Sequence, residues 1–172
     1  MNLGERQKKL LVWSVAALVL AGALLWGLFY AARALRENWM RSNEARARQT
    51  LSTLNAALRA YYERHQGYPD TLERLRGGEE GNPATAPPER ARLLESALAR
   101  DSFEAGGYRF AFEPGPPSQR WAATVHLFAG YRVIAEPVTP GGSGEWFYLA
   151  EPSGQIRGRQ GASATLDDPL VR

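Results

Sequence analysis

The stretch Ala45–Leu75, ARARQTLSTLNAALRAYYERHQGYPDTLERL, combines a regular helical pattern with an abrupt stop. Its apolar positions recur at spacings of 4, 3, 4 and 3 residues and are Ala47, Leu51, Leu54, Leu58 and Tyr61. Such spacing places all five on one face of an α-helix, here called the helix stripe. Gly67, Tyr68 and Pro69 follow, and glycine and proline commonly end helices. The stretch therefore predicts an amphipathic helix that ends at a Gly-Tyr-Pro break.

Two interpretations of the helix stripe are open. A repeat of apolar residues at this spacing is typical of a two-stranded coiled coil. Against that, the stripe lasts only about two heptads and its last large member, Tyr61, is aromatic. The alternative, which we favour, is that the stripe forms the core of a globular domain by packing against a sheet.

Two further helices are predicted after the break. Asp70 can cap a short helix that carries Leu72 and Leu75, and Glu73 would close its capping box. The glycine- and proline-rich segment at 77–88 is predicted to be an exposed loop. A second helix is expected in ERARLLESALAR, residues 89–100.

The remainder of the chain changes to the period of β-strands. In GYRFAFEP, Tyr108, Phe110 and Phe112 alternate with Arg109, Ala111 and Glu113. Further segments rich in aromatic and β-branched residues, each bounded by glycine or proline, are WAATVHLF, YRVIAEP, EWFYLAEP and QIRGR. These predict an antiparallel sheet of about four strands that covers the helix stripe.

An apolar segment, Leu10–Ala32, precedes the amphipathic helix and carries no charge over its 23 residues. At 1.5 Å per residue it reaches about 34 Å, enough to cross a bilayer core. A cleaved secretory signal is the competing interpretation, but the apolar run exceeds the usual signal length. Small residues that allow close helix contact in the membrane are Ala17, Ala21, Gly22 and Gly27.

The predicted fold is thus α+β, with a long transmembrane-plus-stalk helix packed on an antiparallel sheet. The segments in chain order are a cytoplasmic tail at 1–9, a transmembrane helix at 10–32, an amphipathic stalk helix at 33–66, short helices and a loop at 67–106, and the sheet with a C-terminal tail at 107–172. A chain of 172 residues has room for one such domain and its anchor.

The composition narrows the function. The net charge of +3, with many of the arginines close to the apolar segment, suits a membrane surface better than nucleic acid. Disulfides, thiolate metal sites and thiol catalysis are excluded because there is no cysteine. His65 and His126 belong to separate elements, Asp167 and Asp168 to a tail, and the GGSG loop lacks a following Lys-Ser or Lys-Thr. We therefore expect no enzyme activity, cofactor, metal or small-molecule substrate.

The orientation in the membrane does not follow from charge alone. Three basic residues precede the apolar segment, and five arginines follow it within sixteen residues. The positive-inside rule would then place the larger domain in the cytoplasm. The later arginines, however, belong to a helix that carries a whole domain, so the count is indecisive.

The segment TLSTLNAALRAYYERHQGYPDTLERL resembles the end of the long first helix of type IV pilins and type II secretion pseudopilins. GYRFAFEP, YRVIAEPVTPGGSGEWFYLAEPSGQIRG and ATLDDPL resemble the strand, Ala-x-Pro, Ser-Gly and C-terminal signatures of these proteins. The likeness covers about residues 40–170. It implies a single-pass protein of the bacterial cytoplasmic (inner) membrane whose domain lies in the periplasm and which assembles with other membrane subunits.

One feature departs from that family. Pilin precursors carry a glycine followed by a Phe-Thr-Leu-Ile-Glu type of sequence at the head of the span, whereas this chain has Gly4-Glu5-Arg6-Gln7. We expect that the pilin peptidase does not cut here and that the protein keeps Met1 or Asn2 at its start. Two functions remain open. One is a structural component of a secretion or pilus apparatus, and the other is an uncleaved accessory subunit of another membrane complex, such as a respiratory or photosynthetic one.

Overall fold

The computed structural model describes residues 3–76, 97–122 and 125–171. Two compact units are present, Met1–Trp39 and Met40–Arg172. One helix, α1 (Leu3–His65), contributes to both. The predicted tail at 1–9 therefore belongs, from Leu3 onward, to the same helix as the apolar segment.

The described residues of the second unit form seven strands and a short 3₁₀ helix at Leu72–Arg76, in addition to the end of α1. The strands are β1 (Ser102–Ala105), β2 (Tyr108–Pro114), β3 (Pro117–Ala122), β4 (Val125–Phe128), β5 (Tyr131–Pro137), β6 (Trp146–Ala150) and β7 (Ile156–Gln160). The main sheet has the order β1-β2-β5-β6-β7, every pair in it is antiparallel, and β3 and β4 form a separate two-stranded sheet. The expected α+β class, with one long N-terminal helix and an antiparallel sheet, is confirmed, and the main sheet has five strands.

The inner face of the sheet forms the core together with α1. Residues of β2 alternate between buried and exposed, so that Tyr108, Phe110 and Phe112 point inward. Across the sheet Phe110 lies opposite Ala135 of β5, and Ala135 lies opposite Tyr148 of β6. All of them belong to one hydrophobic cluster that includes the helix stripe. The period-2 pattern thus brings one row of apolar side chains from each central strand to the helix.

The free edge of β7 is occupied by the segment that follows it. The Gly158 N–H donates to the Pro169 carbonyl oxygen at 3.1 Å, and the Val171 N–H donates to the Ile156 carbonyl oxygen at 2.9 Å. An exposed row of backbone donors and acceptors would invite pairing with another chain. The C-terminal segment therefore protects this edge.

The break after α1 differs in detail from the prediction. The helix ends at His65, and Gln66, not Gly67, holds the left-handed conformation, with φ of 59°. Gly67 is needed for a different reason, because a Cβ atom there would lie 2.7 Å from Cβ of Leu127. Tyr68 then pairs with Phe128, each donating its N–H to the carbonyl oxygen of the other at 2.9 Å. The break is thus a tight junction between α1 and β4.

The structure of the segment at 67–106 also differs from the predicted short helices and loop. Its first helix is a 3₁₀ helix, and β1 begins at Ser102 inside the predicted segment. The predicted loop at 77–88 and most of the predicted helix at 89–100 lie outside the described residues. Its described end, residues 97–100, forms a turn instead of a helix.

The predicted cap and one predicted strand need correction too. The Leu72 N–H donates to Oδ1 of Asp101 at 2.7 Å, whereas the Asp70 carboxylate accepts a bond from Arg74. A distant carboxylate therefore takes the capping role that the local sequence assigned to Asp70. The segment WAATVHLF is divided between β3 and β4, which pair with each other as a hairpin.

Candidate functional site

The first unit offers a candidate membrane span. An 18-residue window of α1 reaches a mean hydropathy of 2.1, and none of it is buried inside the structure. Large apolar side chains such as Leu18 and Leu25 are about two-thirds or more exposed, at 73% and 68%. Of the described helices, α1 alone has the length and composition to cross a bilayer. An exposed apolar surface of this length is typical of a helix that crosses a membrane.

The four small residues expected to pack the anchor do not lie on a single face. All four, Ala17, Ala21, Gly22 and Gly27, are exposed. Ala17 and Ala21 are four residues apart and share a face, whereas Gly22 and Gly27 are five apart and point about 140° away from each other. No atom lies within 4 Å of a Cβ added at either glycine. Bulk added at these glycines therefore meets nothing in the described chain itself.

The helix stripe lies entirely inside the second unit. Ala47, Leu51, Leu54 and Leu58 are 0–1% exposed, and Tyr61 is 7% exposed. Their partners in the core cluster include Tyr108, Phe110 and Val133, all 0–1% exposed. Removing this much apolar surface from water is the main stabilising contribution to a small domain.

Buried polar residues of α1, which the apolar pattern did not single out, tie the helix to the sheet region. Nδ2 of Asn43 donates to the Ser143 carbonyl oxygen at 2.9 Å, and the Tyr131 hydroxyl donates to Oδ1 of Asn55 at 3.0 Å. A more exposed contact joins the same regions, since the Glu145 N–H donates to Oε1 of the half-buried Glu44 at 3.0 Å. The sequence spacing could have predicted the burial of Asn43, since Asn43 precedes Ala47 by four residues and so lies on the same helical face.

The residues of the helix break, Gly67, Tyr68 and Pro69, are all buried. The Tyr68 ring lies between two others, with its centroid 4.9 Å from that of Tyr62 and 4.8 Å from that of Tyr131. The Tyr68–Tyr131 pair is edge-on, a favourable geometry for aromatic rings. This cluster fixes the end of α1 against the sheet.

The buried tyrosines are neutral, and two of them, Tyr108 and Tyr131, donate hydrogen bonds through their hydroxyl groups. Burial raises the pKa of Tyr148 to about 12, and it also raises the pKa of Tyr68, Tyr108 and Tyr131. The Tyr108 hydroxyl donates to the Trp146 carbonyl oxygen at 2.9 Å. Groups with a raised pKa of this kind stay protonated at physiological pH and are poor general bases.

The two histidines and Asp168 contact neighbouring side chains or backbone groups within the fold. The His65 ring lies 4.3 Å from that of Tyr61, and the His126 ring lies 6.0 Å from that of Phe128. Oδ2 of Asp168 accepts bonds from the backbone N–H and the hydroxyl of Thr165, and the backbone bond is the main reason that its pKa is lowered. Within the described ranges, no three His, Cys, Asp or Glu residues are grouped to hold a metal ion.

No protein-family model, curated protein or solved structure matches the chain. The functional argument therefore rests on the chain's own geometry. Its two outstanding features are the exposed apolar part of α1 and the buried stripe further along the same helix.

Proposed function

We propose that this protein is a membrane-anchored, pilin-like structural subunit that acts by protein–protein assembly, as a pseudopilin-like component of a secretion or pilus apparatus. It has no catalytic activity of its own. Its domain lies in the periplasm of a bacterium, and its helix is held in the cytoplasmic membrane beside other membrane subunits.

The main support for the proposal is a division of α1 into two parts that differ in composition and burial. Residues 13–32 of α1 are almost entirely apolar and are exposed, whereas the helix stripe of the same helix is the core of a small α+β unit. A helix with this division supports the resemblance stated from the sequence, in which one half anchors the subunit and the other carries the sheet.

Assembly through the anchor is supported by its small residues. Helices in a bilayer gain little from the hydrophobic effect when they associate, because lipid chains are as apolar as leucine. Close packing over alanine and glycine supplies the attraction instead. Ala17 and Ala21, which share one face, are suited to such a contact, and Gly22 and Gly27 extend it to other sides of the helix.

The test is co-purification in a mild detergent from membranes of the native cell. Gly22→Leu and Gly27→Leu should each reduce the recovery of partner subunits, while the domain stays folded because both positions lie outside the second unit and a Cβ atom at either has no neighbour within 4 Å beyond its own stretch of helix. Leu24→Ile, which conserves side-chain volume, is the control and should keep the partners. A parent protein that migrates alone, at 19.0 kDa plus its micelle, would remove the support for assembly.

The second candidate is an accessory subunit of another membrane complex. It is favoured by the absence of any acidic residue in Leu10–Ala32, since pilin spans carry a glutamate that helps to register the subunits. Mass spectrometry of the co-purified proteins separates the two candidates. Secretion or pilus components support the first, and respiratory or photosynthetic subunits support the second.

A further inference from the structure

The end of the apolar segment carries aromatic and arginine side chains on one side of α1. The residues of this aromatic–arginine face are Trp26, Phe29, Tyr30, Arg33 and Arg36, and one carboxylate, that of Glu37, lies in the same sector beside Arg33. With 3.6 residues per turn, they fall within about 120° of the helix circumference. Leu24, Leu28 and Leu35 lie on the opposite side by the same arithmetic. The two sides of the helix therefore differ in chemistry at the same depth.

The side chains of this face are available for contact. Trp26, Phe29 and Tyr30 are each at least 60% exposed, and the Trp26 and Tyr30 rings lie 5.8 Å apart. Nε of Arg33 lies 3.0 Å from Oε1 of Glu37, and the Arg33 side chain keeps 70% of its surface exposed. An exposed pair of this kind is weak and leaves the other guanidinium nitrogens available.

The positions of these residues along the helix axis indicate what kind of molecule could bind to the aromatic–arginine face. Arg33 and Arg36 lie one and four residues beyond Ala32, or about 1.5 and 6 Å along the axis. The headgroup layer on each side of a bilayer is about 5–8 Å thick. The arginines thus reach the depth of lipid phosphates, while the three aromatic residues lie at the depth of the glycerol and upper acyl chain. An occupant must be anionic at one end and apolar at the other.

We propose that the aromatic–arginine face binds an anionic phospholipid, with the guanidinium groups on its headgroup and the aromatic rings along its acyl chains. The planar guanidinium matches phosphate geometry and can donate two parallel hydrogen bonds. An acidic protein segment would satisfy the arginines but not the rings beneath them. The inference rests on the proposed membrane anchor and adds lipid selectivity to it.

The experiment is native mass spectrometry of the full chain in mild detergent, titrated separately with phosphatidylglycerol and phosphatidylcholine. The parent should retain phosphatidylglycerol at several-fold lower lipid concentration than phosphatidylcholine. The double variant Arg33→Gln with Arg36→Gln should lose this preference and retain the two lipids at nearly equal concentrations, since one basic group near an anionic surface changes binding by about fivefold.

The matched control is the double variant Arg59→Gln with Arg64→Gln. Arg59 pairs with Glu63 at 3.2 Å four residues later, as Arg33 pairs with Glu37, so the same charges are removed from the same type of helical surface. This control should keep the preference. Arg33→Lys with Arg36→Lys should recover most of it, because charge is retained while the forked geometry is lost.

Equal retention of the two lipids by the parent would overturn the inference. So would a loss of preference in the Arg59/Arg64 control as large as the loss in the Arg33/Arg36 double variant. Flotation of the full chain with vesicles separates this failure from failure of the anchor. A chain that floats with vesicles of either lipid but shows no headgroup preference keeps the anchor and refutes the lipid site. A chain that does not float with vesicles at all refutes both.

Discussion

The side-chain amide of Asn43 donates a 2.9 Å hydrogen bond to the backbone carbonyl oxygen of Ser143, one hundred residues further along the chain. Both residues are buried, at 2% and 6% exposure. Gly107 packs against the same side-chain amide, since a Cβ atom at Gly107 would lie 2.8 Å from Nδ2 of Asn43. The bond thus holds the glycine-rich loop before β6 to α1 in a space that admits no extra atom.

Replacement of Asn43 should destabilise the domain. In Asn43→Ala the buried carbonyl oxygen of Ser143 loses this donor, and we expect a loss of about 1–3 kcal/mol in the free energy of unfolding. Urea unfolding of the full chain in detergent, followed by circular dichroism, measures it. Asn38→Ala, at an exposed position of the same helix, is the control and should change stability by less than about 0.5 kcal/mol.

The helix stripe should not tolerate a charge. Leu54→Asp places a carboxylate at a site with 0% exposure, which costs several kcal/mol against a total stability of roughly 5–15 kcal/mol. We expect the domain to unfold or to melt far below the parent. Ser52→Asp, two residues earlier and exposed, should leave the melting temperature nearly unchanged. If both variants melt with the parent, the stripe is not the core and the coiled-coil interpretation regains support.

Gly67→Ala should destabilise the junction between α1 and β4. The added methyl group would lie 2.7 Å from Cβ of Leu127, and such overpacking costs about 1–3 kcal/mol. Gly130→Ala is the control, because its methyl group would meet only Pro152, at an ordinary 3.5 Å. Because Leu127→Gly removes the Cβ atom that the new methyl group would meet, Gly67→Ala combined with Leu127→Gly should lose less than the sum of the two single losses. Strict additivity in thermal or urea unfolding would contradict the proposed clash.

Stability should fall at alkaline pH. The pKa of Tyr148 is 10.0 in its ordinary state and about 12 in the fold, so the unfolded chain releases this proton first as the pH rises. Its contribution to stability is complete below pH 10 and is lost between about pH 10 and 12. Unfolding by urea at pH 8, 10 and 11.5 should show the decline, and Tyr148→Phe should make it shallower. An unchanged slope in that variant would show that Tyr148 does not contribute.

The proposed orientation can be tested because the chain has no cysteine. Ser153→Cys lies at an exposed position of the second unit and should react with an impermeant maleimide in intact spheroplasts. Asn2→Cys, before the apolar segment, should react only after lysis. The reverse labelling pattern would place the domain in the cytoplasm, as the arginine count alone suggests.

Periodicity predicted the parts of this fold whose burial follows from a single element. The spacing of Leu51, Leu54 and Leu58 defines one helical face, and all three are buried. The alternation in Tyr108–Pro114 likewise separates an inner from an outer face of β2. In both cases the pattern reflects the geometry of the element itself, which the local sequence encodes.

Contacts between distant segments were not predictable in the same way. Asp101 caps the 3₁₀ helix from 29 residues away, whereas the sequence offered Asp70 close by. β1 has no extended alternation, and it forms because β2 provides an edge and Phe103 stacks on Phe110 at 4.9 Å. Such features depend on which elements become neighbours.

The separation between Asn43 and Ser143 also sets the order of events during biosynthesis. A ribosome adds about 5–20 residues per second, so the strand after Ser143 follows the helix by roughly 5–20 s. Throughout that interval the nascent chain carries Leu51, Leu54 and Leu58 without the β6 residues that complete their core. The apolar segment has by then left the ribosome ahead of them, because it comes first in the chain. The proposed anchor is therefore free to insert before the domain can fold, and the leucines of the stripe must be kept from other chains in the meantime.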